Sequence, residues 1–224
     1  MIVKICGITN LDDALIAAEA GADMLGFNFY PPSPRYVHPE TCARITEALR
    51  GSGILNVGVF VNTEAGVITQ IMKECRLDLA QLSGDEPPSV LDELHGRAFK
   101  SLRPANESAL QDALRNYPAR PEPPAYLLDA YHPAVYGGSG QTVGRELAVR
   151  LAAQHPILLA GGLTPENVSS VIQAVHPYGV DVASGVEATP GKKDPLRMRA
   201  FIQAAKHSFR IPHAQSKREE PLCR

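Results

Sequence analysis

The sequence predicts an α/β fold, a single-domain (β/α)8 TIM barrel. Two observations carry this reading. Eight short apolar runs recur along the 224 residues, each ending in a glycine, an asparagine or a polar break. Between them lie segments of helical periodicity with recognisable start and stop residues. Strands alternating with helices build parallel βαβ units. Such strands are covered on both faces and therefore read as nearly continuous apolar stretches. Eight units in about 220 residues match the small end of the (β/α)8 size range. A doubly wound open sheet is the alternative, but no G-x-G-x-x-G follows the first strand, and eight units exceed its usual count.

The strands, in order, are MIVKIC, DMLGFNF, LNVGVFV, LDLAQL, RAFKSL, PAYLLDA, PILLAG and GVDVAS. The first helix, in TNLDDALIAAEAGAD, has Thr9 or Asn10 as cap, acids in its first turn and Gly21 as its stop. In TPENVSSVIQAVHPYG, Thr164 reads as the cap, Pro165 as the first helical residue and Glu166 as a first-turn acid. NESALQDALRNYP and DPLRMRAFIQAAKHSF read the same way. Helices are expected around 39–50, 64–75 and 145–153, while DEPPSVLDELHG leaves room for only about two turns. The barrel is expected to span 1–208. The polar tail 209–224 reads as a mobile extension, or alternatively as a last turn packed on the barrel.

Composition excludes several classes. Hydrophobic residues make up 44% and charged residues 21%, and the formal net charge is −2. No basic field points to nucleic acid or an anionic membrane, and no apolar run approaches a membrane span of about 20 residues. No leader is expected before the strand that starts at Ile2. The four cysteines, Cys6, Cys42, Cys75 and Cys223, are scattered, without a C-x-x-C pair or a Cys/His cluster. Neither zinc nor a disulfide framework is indicated, and a reducing, cytoplasmic setting fits. For assembly, a monomer and a homodimer both remain open.

In a barrel of this kind the chemistry sits at the C-terminal ends of the strands. The residues there are Cys6, Asn28, Asn62, Gln81, Arg103, Asp129, Gly161–Gly162 and Ser184–Gly185. Side chains alternate along a strand, so a Cys6 that faces the barrel interior brings Lys4 and Ile2 with it. A buried Lys4 needs an acidic partner, for which Asp181 is the first candidate, either as a structural ion pair or as part of the chemistry. A nearby ammonium would draw the Cys6 thiol down toward neutrality and make it a base or nucleophile. The alternative is a small buried hydrophobe. Glycine-rich loops follow the sixth, seventh and eighth strands, in YGGSGQT, AGGLTPEN and ASGVEATPGKKD, and suit a phosphate. Arg35, in the stiff loop YPPSPRYV, can reach the mouth and grip a carboxylate in bidentate fashion, or simply be solvated.

These pieces together resemble the phosphoribosylanthranilate isomerase family of tryptophan biosynthesis. KICGIT, GFNFYPPSPRYV, VGVFVN, QLSGDE, LLDA, GGSGQT, AGGLTPENV, VDVASGVE and PGKKD fall in order from residue 4 to residue 194. The resemblance implies an Amadori rearrangement of a small phosphosugar, without metal or organic cofactor. It implies Cys6 as general base and Asp129 as general acid. It further implies that Arg35 holds the anthranilate carboxylate, that Gln81 borders the substrate, and that backbone around Ser139–Gly140, Gly161–Gly162 and Ser184–Gly185 holds the phosphate. Lys4 and Asp181 then support the site from beneath.

Three positions depart from the usual family pattern. Ser83 replaces an imidazole in QLSG, GSGQTVGRE lacks the aromatics and acid of FDW, and Ala183 replaces a serine. They bear on substrate positioning rather than reaction type. Two other readings compete. A histidine-pathway phosphosugar isomerase would need aspartates on the first and fifth strands, where this chain has Cys6 and FKSLRPAN. A phosphate-binding barrel without catalysis would not need the Cys6 and Asp129 pairing.

Overall fold

The computed structural model describes residues 1–129 and 140–208. The expected phosphate contact at Ser139 and the expected mobile tail 209–224 lie outside the described residues. Eight parallel strands close into a barrel in chain order. They are β1 (Ile2–Cys6), β2 (Met24–Asn28), β3 (Leu55–Phe60), β4 (Leu79–Leu82), β5 (Ala98–Leu102), β6 (Tyr126–Asp129), β7 (Ile157–Ala160) and β8 (Gly179–Val182). The helices that cover them are α1 (Leu11–Ala20), α2 (Pro39–Ala48), α3 (Ala65–Glu74), α4 (Ser89–Glu93), α5 (Glu107–Asn116), α6 (Gly140–Gln154), α7 (Val168–Val175) and α8 (Pro195–Ser208). Among the described residues, no helix is long and apolar enough to cross a membrane.

Period-two alternation divides each strand between two cores. Met24, Val57, Leu79, Phe99, Leu127 and Leu158 fill the barrel interior, with Ile2 packed against them. Val3, Ile5, Leu25, Phe60, Leu128 and Val180 point the other way and pack beneath the helices. The interior layer closes the barrel from below. The next inward residues along the same strands, among them Gln81 and Asp129, therefore form the floor of its open end. Register sets Lys4 beside Asp181 and Cys6 beside Gly26.

Local chemistry explains the helix ends. The Asn10 side chain accepts from the Asp13 N–H at 2.9 Å to start α1, and Gly21, at φ 94°, stops it in the left-handed region. Asn106 caps α5 in the same way, accepting from Ala109 N–H at 2.9 Å. The expectation for α7 needs correction: Thr164 is not its cap. Thr164–Asn167 forms a turn closed by the Asn167 and Val168 N–H groups on the Thr164 carbonyl, and the helix begins at Val168. Asn167 turns its side chain back to accept from Thr164 N–H at 2.8 Å, which removes it as a forward cap. Helix α6 starts five residues earlier than expected, because Gly140 and Gly144 hide the helical pattern there.

From the sequence, the chain after β8 reads only as a glycine loop. It forms a 3-10 turn, Ser184–Val186, and then a small antiparallel hairpin, β9 (Glu187–Thr189) and β10 (Lys192–Lys193). The hairpin leans on the loops after β1 and β2. Thr9 Oγ1 donates to the Gly191 carbonyl at 2.6 Å. Gly191, at φ 82°, lies so close to the Pro34 carbonyl that a Cβ there would sit 2.5 Å from it. Only glycine satisfies both conditions.

Candidate active site

An open cavity of about 660 Å³ occupies the C-terminal ends of the strands. Cys6 and Asp129 line it from β1 and β6, and Arg35 reaches it from the loop after β2. Gln81 and Asp181 contribute to its floor. Gly161, Gly162, Ser184 and Gly185 form the rim along β7 and β8. Lys4 is fully buried beneath, and Gly140 opens α6.

Under the cavity runs a hydrogen-bonded chain. The Lys4 ammonium donates to Asp181 Oδ1 at 2.8 Å and to Gln81 Oε1 at 3.0 Å. Because its oxygen is engaged by Lys4, the Gln81 amide directs its nitrogen to Ser83 Oγ, 3.1 Å away. Burial pushes the Lys4 ammonium down, but the Asp181 carboxylate overcomes this and holds it above its ordinary value. Lys4 therefore stays charged.

The expectation that Lys4 draws the Cys6 thiol toward neutrality needs correction. Burial is the largest influence and pushes the thiol up, and the Asp181 carboxylate adds to it. The ammoniums of Lys4 and Lys193 oppose this without reversing it. The resting Cys6 is a neutral thiol. Space for it comes from Gly26 on β2: a Cβ there would lie 2.7 Å from Cys6 Sγ and 3.1 Å from Lys4 Nζ.

Arg35 lies across Gly7, whose added Cβ would come within 2.7 Å of Arg35 Cδ. Its guanidinium is gripped by Glu187, with Nε to Oε1 at 2.8 Å and Nη2 to Oε2 at 2.7 Å. Lys193 Nζ also donates to Glu187 Oε1 at 3.0 Å, and to the Ala183 carbonyl at 3.1 Å. Burial raises the Glu187 carboxyl, but the two cations outweigh it and hold it below its ordinary value. Glu187 and Lys193 were not singled out in the sequence. The signal was present in Pro190–Gly191, a turn dipeptide between two short polar runs.

On the opposite side, Arg103 Nε pairs with Asp129 Oδ2 at 3.1 Å, leaving Oδ1 outside that pair. The Arg103 side chain is 61% exposed, and pairs of this kind contribute about 0–1 kcal/mol, so a substrate can displace it at small cost. Ser101 Oγ, in the same wall, is buried without a hydrogen-bond partner among the described residues. Gly161 and Gly162, at φ 102° and 60°, turn the chain after β7, and Asn167 Nδ2 fixes the turn by donating to the Gly162 carbonyl at 2.9 Å. Gly185 packs so tightly on the Leu163 carbonyl that no side chain fits, which ties the β7 and β8 rims together.

The chain that brings a thiol, a carboxylate, a mouth arginine and a glycine rim to one cavity has close counterparts in sequence and fold. The family model for N-(5'-phosphoribosyl)anthranilate (PRA) isomerase matches residues 3–204. The N-(5'-phosphoribosyl)anthranilate isomerase of Geobacter sulfurreducens is 49% identical over 204 residues, covering 91% of this chain and 98% of the relative. That of Pelobacter propionicus is 48% identical over 206 residues, with 92% and 96% covered. The crystal structure of phosphoribosyl anthranilate isomerase from Thermotoga maritima superposes with a TM-score of 0.80 at 43% identity, covering 92% of this chain and all of that one. A structure of the enzyme in complex with reduced 1-(o-carboxyphenylamino)-1-deoxyribulose 5-phosphate superposes with a TM-score of 0.78 at 40% identity, with the same coverage. The chain belongs to the N-(5'-phosphoribosyl)anthranilate isomerase family.

Proposed function

We propose that the cavity carries out an Amadori rearrangement with Asp129 as general acid and Cys6 as general base. As a family member the protein is an aldose–ketose isomerase acting on N-(5'-phosphoribosyl)anthranilate in tryptophan biosynthesis. The reaction needs a proton delivered to the furanose ring oxygen, which opens the ring to a Schiff base. It then needs the sugar C2 proton removed, giving an enolamine that tautomerises to the ketone. One group must start protonated and the other must accept a proton, on different sides of the sugar.

The observation that carries this reading is the placement of Cys6 and Asp129 in one cavity, at the ends of non-adjacent strands. A thiol pushed up by burial is neutral at pH 7, so the base is its minority thiolate, formed beside the Lys4 and Lys193 ammoniums. Arg35 would hold the anthranilate carboxylate with the N–H groups that Glu187 leaves unused. The backbone around Gly161–Gly162 and Ser184–Gly185 would hold the phosphate. Ser101 Oγ would meet a sugar hydroxyl.

The test follows loss of fluorescence from phosphoribosylanthranilate generated in situ. Cys6→Ala and Asp129→Asn are expected to abolish turnover or nearly so. Full activity in Cys6→Ala would sink the assignment of the base. Arg35→Ala is expected to raise KM strongly, and an unchanged KM removes it from the carboxylate site.

A further inference from the structure

Three charged groups behind the mouth of the cavity do not add up to neutrality. Arg35 and Lys193 both pair with one carboxylate, Glu187; burial and the Arg35 charge hold the Lys193 ammonium below its ordinary value, and Glu187 opposes them to keep it a cation. The Lys193 side chain is fully buried and that of Glu187 is 5% exposed. Asp13 is the other carboxylate in contact with Lys193, but it accepts from the backbone N–H at 2.9 Å rather than from the ammonium. A simple Arg35–Glu187 pair would present no net charge to the cavity. With Lys193 added, the unit carries one positive charge in surroundings that screen it poorly.

The geometry also fixes where that charge is presented. Glu187 occupies Arg35 Nε and one Nη2 hydrogen, and Lys193 holds Glu187 Oε1 from behind. The remaining N–H groups of a planar guanidinium lie along its other edges. Arg35 lines the cavity, whereas Glu187 and Lys193 do not. Lys193 is itself set by its bond to the Ala183 carbonyl at the end of β8.

We propose that Lys193 is a positioning residue for the carboxylate of the substrate: by sharing Glu187 with Arg35 it keeps the cluster one negative charge short, and the incoming carboxylate supplies that charge. The inference rests on Arg35 as the carboxylate-binding residue. It goes beyond that assignment by placing the origin of carboxylate selectivity in a buried lysine that touches no substrate.

The experiment compares two substrates made by condensing ribose 5-phosphate with anthranilate or with aniline, the second lacking the carboxylate. Both use the same acid and base, so any effect of Lys193 on Cys6 cancels in the ratio of their KM values. In wild type the aniline compound is expected to have the higher KM. Lys193→Met is expected to shrink the ratio about tenfold, the scale of a charge-assisted contact. Glu187→Gln removes the shared negative charge and leaves two cations, so it is expected to enlarge the ratio, and it carries the test if circular dichroism shows that Lys193→Met does not fold. An unchanged ratio in the folded variants, with KM or kcat falling equally for both substrates, overturns the proposal and makes Lys193 a structural residue. Equal KM values in wild type overturn the Arg35 assignment instead, and this inference falls with it.

Discussion

The Lys4 ammonium lies 2.8 Å from Asp181 Oδ1, two buried charges side by side on β1 and β8, one pleat below Cys6. Removing Lys4 leaves Asp181 charged and nearly buried on the cavity floor, without its ammonium. Lys4→Met is therefore expected to cost about 3–5 kcal/mol in urea unfolding, and Lys4→Met combined with Asp181→Leu to recover most of it. A single-variant cost below about 1 kcal/mol would show that Asp181 finds another partner in Gln81 or solvent.

Gly26 tests how closely Cys6 and Lys4 share their space. Gly26→Ala places a methyl 2.7 Å from Cys6 Sγ and 3.1 Å from both Lys4 Nζ and the Cys6 Cα. Overpacking of this kind costs about 1–3 kcal/mol, or a few degrees of melting temperature. The thiol must turn aside, so kcat is expected to fall at least about tenfold. A variant that melts lower but turns over normally would show that Cys6 adapts without loss.

At the rim, Gly185 meets the Leu163 carbonyl with no room for a Cβ. Gly185→Ala must push the β7 and β8 rims apart. Inorganic phosphate is expected to inhibit the wild type competitively, and the variant at least about tenfold more weakly. Ser184→Ala keeps the backbone and is expected to change the inhibition constant only a few-fold. Equal inhibition of Gly185→Ala and wild type would place the phosphate elsewhere.

The barrel was legible because a buried parallel strand must be apolar on both faces, and runs such as PILLAG and GVDVAS are. An inward lysine on β1 and an inward aspartate on β8 also stand out against that background. Other features depend on contacts between distant segments. The state of the Cys6 thiol is decided by how much water reaches it and by the competing fields of Lys4, Lys193 and Asp181, and only the lysine two residues away is visible from the chain. The hairpin that carries Glu187 and Lys193 is too short and polar to show a period. The partner of Arg35 is 152 residues away, and nothing local to SPRYV announces it.

Glu86 gives a prediction about stability away from the cavity. Its Oε2 lies 2.5 Å from Lys100 Nζ, and its Oε1 accepts from Asn62 N–H at 3.0 Å and Gly84 N–H at 2.9 Å. It thus clamps the loops after β3 and β4 to a buried lysine on β5. Burial alone would raise the Glu86 carboxyl, but Lys100 and the Gly84 N–H outweigh it and hold it below its ordinary 4.5. The folded protein then binds fewer protons here than the unfolded chain, so this contribution is present above pH 4.5 and is lost as pH falls through the lowered native value. Glu86→Gln leaves Lys100 without its counter-ion and is expected to cost about 3 kcal/mol or more at pH 7. Other carboxylates, Glu187 among them, also lose stability in acid, so the informative quantity is the difference between variant and wild type. That difference is expected to shrink as urea unfolding is repeated from pH 7 down to about pH 3. A difference that stays constant over this range would mean that Glu86 acts through its hydrogen-bond geometry, which glutamine reproduces in part, and not through its charge.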